Sequence, residues 1–194
     1  IESVLVMDKV PYLLKRDVFS DEELRLIFNE LYFLKSTMEG PEWTDAARNE
    51  DKKIIKKNQG IFLRHIYTDM LKFSSIAKLC QDRVSRDLKE YSDLDITNRS
   101  SLYSNECWVL VSHYEKGDHY LPHQDATNVT ALFWFNKKEF TGGDLTFTDT
   151  NEVVEYENNS MIIFPSWAKH GVSKVSDEGR YCVTVGLHIN PHSQ

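Results

Sequence analysis

His123-Gln-Asp125 sets an imidazole and a carboxylate two residues apart, and in an extended strand residues i and i+2 project to the same side. A second histidine, His170, follows 47 positions later (170 − 123), after the apolar run Met161-Ile-Ile-Phe and before a further β-branched stretch. Two histidines and one carboxylate drawn from separate strands make up the facial triad that holds non-haem Fe(II) and leaves coordination positions open. Alone, His-x-Asp is a common accident, and a solitary histidine is more often packed or solvated than ligating. Arg180 lies ten residues beyond His170 and opens Arg180-Tyr-Cys-Val-Thr184-Val-Gly186-Leu. Tyr181, Val183, Val185, Leu187 and Ile189 alternate as a packed face, which leaves Arg180, Cys182, Thr184 and Gly186 on the other. A guanidinium within such a run suits a ligand carboxylate, with a hydroxyl four residues on. Its plain alternative is an edge arginine that reaches water.

These residues need a scaffold, and the chain changes character near residue 100. In the first half Ser20 and Glu23 form a capping box, and Leu24, Ile27, Phe28, Leu31 and Leu34 recur at helical spacing. A second helix is expected over Ile61 to Lys72 and a third from about Ser75 to Tyr91. Between the first two, Gly40 to Asn58 reads as a charged loop with Lys52-Lys53 and Lys56-Lys57, either solvated or a lid over a site. From Asn105 onward the period becomes two. Short runs at Cys107 to Tyr114, Thr130 to Asn136, Gly143 to Thr148, Ser160 to Pro165 and Tyr181 to Ile189 are separated by turn residues. The expected fold class is α+β, mainly β: a jelly-roll (double-stranded β-helix) core with N-terminal supporting helices. Residues 1–194 are read as a single domain, with 1–100 the helical support and 101–194 the catalytic core.

Composition narrows the function. A net charge of −7 gives no global attraction to phosphate backbones and disfavours nucleic acid as a partner. Three cysteines without a CxxC pair (Cys80, Cys107, Cys182) argue against a disulfide framework or a cysteine-built zinc site. No apolar run approaches the ~20 residues of a membrane span, and the charged start Ile1-Glu-Ser-Val-Leu-Val-Met-Asp-Lys does not read as a signal peptide. A cytoplasmic location is the resulting expectation. Oligomeric state is not legible.

With the spacing in view, Tyr114-Glu-Lys-Gly117-Asp-His-Tyr120-Leu-Pro-His123-Gln-Asp125 resembles the metal-binding segment of prolyl 4-hydroxylase-type, Fe(II)- and 2-oxoglutarate-dependent dioxygenases. Gly142-Gly143-Asp-Leu, Phe164-Pro-Ser, His170-Gly-Val and Gly179-Arg180-Tyr181-Cys-Val-Thr184 fit the same family in order and spacing, over roughly residues 105 to 190. The resemblance implies that His123, Asp125 and His170 bind Fe(II), and that Arg180 clamps the distal carboxylate of 2-oxoglutarate. It places Thr184 as a hydrogen-bond donor to that carboxylate and Tyr114 on the cosubstrate pocket, with His123, Asp125, His170 and Arg180 as the catalytic set. O2 is then the oxidant, 2-oxoglutarate is decarboxylated to succinate and CO2, and ascorbate joins as an auxiliary ligand. The implied substrate is a prolyl residue of a peptide or protein, with a free amino acid or other small molecule as the alternative and Tyr120, Trp167 and His119 as rim contacts.

Two other classes compete: a jelly-roll binding module with a vestigial site, and a zinc hydrolase on the same three residues. The first predicts the loss of a triad or clamp residue, and none is missing; the second has no need of Arg180, Thr184 or the segment around Tyr114. The chain also departs from its relatives. Trp134 stands near where some of them carry a cosubstrate tyrosine, and Gly186 stands where some place a large aromatic, which would leave room. Arg180 is the only arginine after His170, whereas nucleic-acid repair members place a second one before it.

Overall fold

The computed structural model describes residues 9–136 and 141–190. The Ile1 to Asp8 start, on which the signal-peptide reading rests, lies outside the described residues. In chain order the helices are α1 (Asp21–Lys35), α2 (Leu63–Tyr67) and α3 (Ser75–Leu94). The strands are β1 (Leu13–Lys15), β2 (Lys56–Lys57), β3 (Gln59–Phe62), β4 (Glu106–Tyr114), β5 (His119–His123), β6 (Val129–Phe135), β7 (Leu145–Phe147), β8 (Glu152–Val154), β9 (Ser160–Pro165), β10 (His170–Val172) and β11 (Arg180–His188). They form two sheets, ordered β1-β9-β6-β11-β4-β3 and β2-β5-β10-β7-β8, with every ladder antiparallel. This is the expected mainly-β jelly-roll core with supporting helices.

The alternation of β11 divides the interior. Val183, Val185 and Leu187 join Val109, Val111, Ala131, Phe133 and Ile163 under the helices, where Ile27, Leu31, Leu34, Ile76, Cys80 and Val84 cover them. Cys182 faces the other way, into a second core with Tyr114, Leu132, Trp134, Ile162, Phe164, Leu145 and Phe147 between the sheets. Apolar residues on both faces of the six-stranded sheet explain why its strands read as nearly continuous hydrophobic runs.

The helical layer is held by caps as well as packing. Ser20 and Glu23 form the capping box that starts α1. Glu30 on α1 accepts from Tyr67 Oη at 2.7 Å, Ser74 Oγ at 2.6 Å and the Ile76 amide at 2.8 Å, tying α1 to the first turn of α3.

The expected helix over Ile61 to Lys72 starts two residues late and is broken: β3 takes Ile61 and Phe62, and the helical stretch that follows divides into α2 and a 3-10 turn. Gln59–Phe62 pairs with His113–Leu110 as β3 before α2 and a 3-10 turn (Thr68–Phe73) begin. The edge of β4 offers unpaired backbone groups, and that long-range ladder overrides a weak helical period. The support half therefore contributes β1, β2 and β3 to the two sheets, so the compositional break near residue 100 is not a structural boundary. No helix of the described residues is long and apolar enough to cross a membrane.

Candidate active site

β5 and β10 are neighbours in the five-stranded sheet, with His123 and His170 directly opposite each other. Their ring centroids are 4.4 Å apart. Asp125 lies two residues beyond the end of β5, so a turn rather than the pleat brings it in, against the same-strand expectation. Its Oδ1 sits 3.4 Å from His123 Nε2 and its Oδ2 3.6 Å from His170 Nε2. One ligand atom from each of the three residues falls within a 4.8 Å set.

The surroundings leave these atoms ready to donate to a cation. His123 Nδ1 lies 3.0 Å from the Leu121 carbonyl and His170 Nδ1 2.9 Å from the Ala168 carbonyl. A carbonyl only accepts, so each Nδ1 carries the proton and each Nε2 presents a lone pair to the centre. Burial holds His170 below its ordinary pKa, which keeps that lone pair free. Burial alone would raise Asp125, but its contacts with the His123 and His170 imidazoles and the hydrogen bond from Thr130 outweigh it and bring the carboxyl to about 2. Thr130 Oγ1 donates to Asp125 Oδ2 at 2.6 Å, and Ser166 Oγ lies 2.8 Å from Thr130 Oγ1. Tyr120 stacks on His123 with centroids 3.5 Å apart, and Phe164 meets the His170 ring edge-on at 4.7 Å. Both imidazoles are thus locked in rotation.

Between the sheets runs a cavity of about 320 Å³, within the usual size range of small-ligand sites. The triad lines one wall; Tyr114, Ser112, Leu110, Cys182, Thr184 and Leu132 line the opposite one. Arg180, directly across the ladder from Tyr114, stands behind that wall, only 1% exposed. Its Cζ lies 4.5 Å from the Tyr114 ring centroid and 4.8 Å from that of Tyr156, and its Nη2 donates to the Gly143 carbonyl at 3.0 Å. Its Nε and Nη1 meet no acceptor among the described residues. Gly143 makes this lodging possible. It has φ +77°, and a Cβ there would fall 2.7 Å from Arg180 Nε. Thr184 faces the cavity, but four residues of strand put its Cα about 13 Å along β11 from that of Arg180.

The two departures also find their places. Trp134 points between the sheets and packs on Tyr156, at 5.4 Å between centroids, while Leu132 supplies the cavity wall from β6. The space expected at Gly186 is filled. Trp108, its cross-strand partner, lies so close that a Cβ on Gly186 would fall 2.4 Å from the indole, so the missing aromatic is supplied by β4.

Of the expected rim residues, Tyr120 lines the cavity, and its Oη accepts from the Ala47 amide at 2.9 Å; His119 and Trp167 lie off the lining. The charged Gly40 to Asn58 segment is pinned rather than loose. Lys56 and Lys57 pair with Tyr120 and His119, the Ile55 carbonyl accepts from the Leu121 amide at 3.0 Å, and Lys57 pairs with Asp118 at 3.0 Å. Lys56, read from sequence only as part of a charged loop, turns inward and lines the cavity. Ser112 and Thr130 are further site residues that no local signal had singled out, whereas Gly143, read from sequence only as part of a family turn, proves to lodge Arg180.

The description "2OG-Fe(II) oxygenase superfamily" matches residues 109–188, a stretch that holds all three triad residues together with Tyr114, Arg180 and Thr184. That stretch is where the chain is similar to the superfamily. The protein is accordingly an enzyme of the dioxygenase and hydroxylase class, and the family implies Fe(II), 2-oxoglutarate and O2. Solved oxygenase structures share the fold. A prolyl-4-hydroxylase from Pseudomonas putida superposes with TM-score 0.65 at 14% identity, covering 94% of each chain. A viral collagen prolyl hydroxylase from Paramecium bursaria Chlorella virus-1, in complex with 2-oxoglutarate, gives TM-score 0.58 at 13% identity, covering 94% of this chain and 98% of that one. An oxidoreductase of the 2OG-Fe(II) oxygenase family from Burkholderia pseudomallei gives 0.55 at 11%, covering 93% and 86%. No curated protein shows a significant sequence match.

Proposed function

We propose that the protein hydroxylates a prolyl residue of a peptide or protein, with His123, Asp125 and His170 as the Fe(II) ligands and 2-oxoglutarate as cosubstrate, the chain working as one catalytic domain. The observation that carries this reading is the pairing, in one inter-sheet space, of the triad with a fully buried arginine that has two unused donors. The donor chemistry fits the group: two neutral imidazole nitrogens and one ionised carboxylate on one side, with open space on the other. A guanidinium buried without a carboxylate partner is costly, and a dicarboxylate arriving beside Tyr114 would relieve it.

Bound in the triad, iron supplies the redox chemistry by which O2 gives one oxygen atom to the succinate formed from 2-oxoglutarate, with release of CO2, and the other to a C–H bond. The chain's residues do the rest. Arg180 and Tyr114 seat the distal carboxylate, and Thr184 meets the cosubstrate further along β11. Tyr120 and Phe164 hold the imidazoles in place, Thr130 holds Asp125, and the aromatic walls keep bulk water away. A zinc hydrolase would have no use for the buried Arg180. The prolyl substrate is supported by the shared fold of the prolyl hydroxylases and by the aromatic pair Phe62 and Trp108 in the cavity lining.

An anaerobic titration with Fe(II) and 2-oxoglutarate tests the chemistry. A weak visible charge-transfer band that needs both components and bleaches when O2 is admitted is the expected result, followed by succinate release, with ascorbate present, that depends on a proline peptide. Absence of the band, with zinc tightly retained, would overturn the assignment. A band without any proline-dependent turnover would overturn only the substrate.

A further inference from the structure

One buried cation in the cavity has no task in the chemistry above. Lys56 and Lys57 are consecutive strand residues, so their side chains leave opposite faces of the sheet. Lys57 points out and pairs with Asp118. Lys56 points in. It is 8% exposed, its Nζ lies 3.4 Å from Ser112 Oγ and 4.9 Å from the Tyr120 ring centroid, and it makes no ion pair among the described residues. Ser112 is the cross-strand partner of Cys182, one inward position along β11 from Arg180 and one short of Thr184. Lys56 therefore spans the cavity from the five-stranded sheet to the middle of the six-stranded one. Thr44, Asp45, Ala47, Phe62, Arg64 and Trp108 line the same cavity.

Counting charge shows what is missing. Fe(II), Arg180 and Asp125 together carry a net charge of two positive units, and the two carboxylates of 2-oxoglutarate balance them. The two other charged residues of the lining, Asp45 and Arg64, are exposed and offset each other. Lys56 is then a surplus cation, desolvated and held by a hydroxyl and a ring face. A buried ammonium of this kind is expensive unless an anion joins it.

We propose that Lys56 binds a carboxylate of the primary substrate, so that the enzyme selects an anionic substrate. The inference rests on the 2-oxoglutarate reading, because that reading assigns the other charges. A prolyl residue inside a neutral peptide offers no such group. The α-carboxylate of a free or C-terminal residue does, and so does the acidic side chain of a neighbouring residue.

Equilibrium binding separates these cases without turnover. The protein is loaded with Mn(II) in place of iron and saturated with 2-oxoglutarate, and ligands are titrated calorimetrically. N-acetyl-L-proline against its amide reads an α-carboxylate; N-acetyl-prolyl-aspartyl amide against its asparaginyl counterpart reads a neighbouring one. The wild-type protein should prefer the acid in at least one pair by tenfold or more, the range of a charge-assisted hydrogen bond. Lys56→Met should bring that ratio to about one while leaving the affinity for 2-oxoglutarate within threefold, and Lys56→Arg should restore part of the preference. No preference in either pair by the wild-type protein overturns the inference, whatever the variants do. A Lys56→Met protein that keeps the preference overturns it too, as does one whose 2-oxoglutarate affinity falls tenfold, since the carboxylate would then belong to the cosubstrate. Failure of the wild-type protein to bind 2-oxoglutarate at all is a different result, and it strikes the proposed function itself.

Discussion

Replacing Lys56 by methionine should stabilise the ligand-free protein at neutral pH, and the gain should fade as the pH rises. Burial lowers this lysine from 10.5 to about 8; the Arg180 cation adds to the effect, while Asp125 and Cys182 oppose it. At about 1.4 kcal/mol per pH unit, the protonated side chain is about 3 kcal/mol less favourable in the folded chain than in the unfolded one. Below pH 8 both states hold the proton and the whole penalty applies. Between about 8 and 10.5 the folded protein has released its proton while the unfolded chain still binds it, so wild-type stability rises with pH through that window. Methionine has no proton to release and a similar shape. The stability gap should therefore narrow by about 2 kcal/mol between pH 7 and pH 9.5.

Urea denaturation of both proteins at the two pH values, in the presence of a chelator, measures the narrowing directly. The lost contact to Ser112 and any change in packing are the same at both pH values and cancel in the difference. The buried tyrosines, with pKa values raised above 10, are common to both proteins and cancel likewise. A gap that stays constant with pH would refute the reasoning, because it would mean that Lys56 keeps its ordinary proton affinity and is either paired or in water.

Three further outcomes test the site from other sides. Gly143→Ala combines a left-handed backbone with a Cβ 2.7 Å from Arg180 Nε; it should cost about 1–3 kcal/mol in thermal stability and weaken 2-oxoglutarate binding tenfold or more. An unchanged titration would detach Arg180 from the cosubstrate. Thr130→Val removes the 2.6 Å hydrogen bond to Asp125 and should lower Fe(II) affinity roughly 10- to 100-fold in a chelator competition, with the fold retained by circular dichroism. Gly186→Ala must push the Trp108 indole aside, since the new Cβ would lie 2.4 Å from it. A changed tryptophan emission with weaker substrate binding and nearly intact 2-oxoglutarate binding is expected, and an unchanged emission would show that the ring had another way out.

The parts of this site that could be read beforehand are those whose meaning travels along the chain. Alternation in β11 is a local property, so the inward set of Arg180, Cys182, Thr184 and Gly186 was legible without knowing any partner strand. The helix expected over 61–72 loses its first two residues for the opposite reason. Ile61 and Phe62 sit on a helical period, but the edge of β4 captures them as a strand, and nothing near residue 61 announces a partner some 50 residues away (111 − 61). His123 and Asp125 do converge, yet the pleat is not the cause. Asp125 is past the strand end, and a threonine five residues on holds its carboxylate in place.

Gly186 and Lys56 carry the same lesson to function. A glycine in place of an aromatic reads as empty space until the register sets Trp108 opposite it, 78 residues earlier (186 − 108). The cavity is then closed by a ring from another strand, and the wall's shape is a property of the pair. A lysine in a charged loop reads as solvated until β5 turns one of two neighbouring lysines inward. Composition counts both cations alike; pairing makes one a surface charge with a carboxylate beside it and the other a buried charge without one. Catalytic chemistry can therefore be inferred from ordered motifs, because iron and cosubstrate impose a fixed donor set. Substrate preference depends on side chains that acquire a direction only when distant strands meet. It is accordingly at Lys56, outside the matched residues 109–188, that this enzyme's own specificity should be sought.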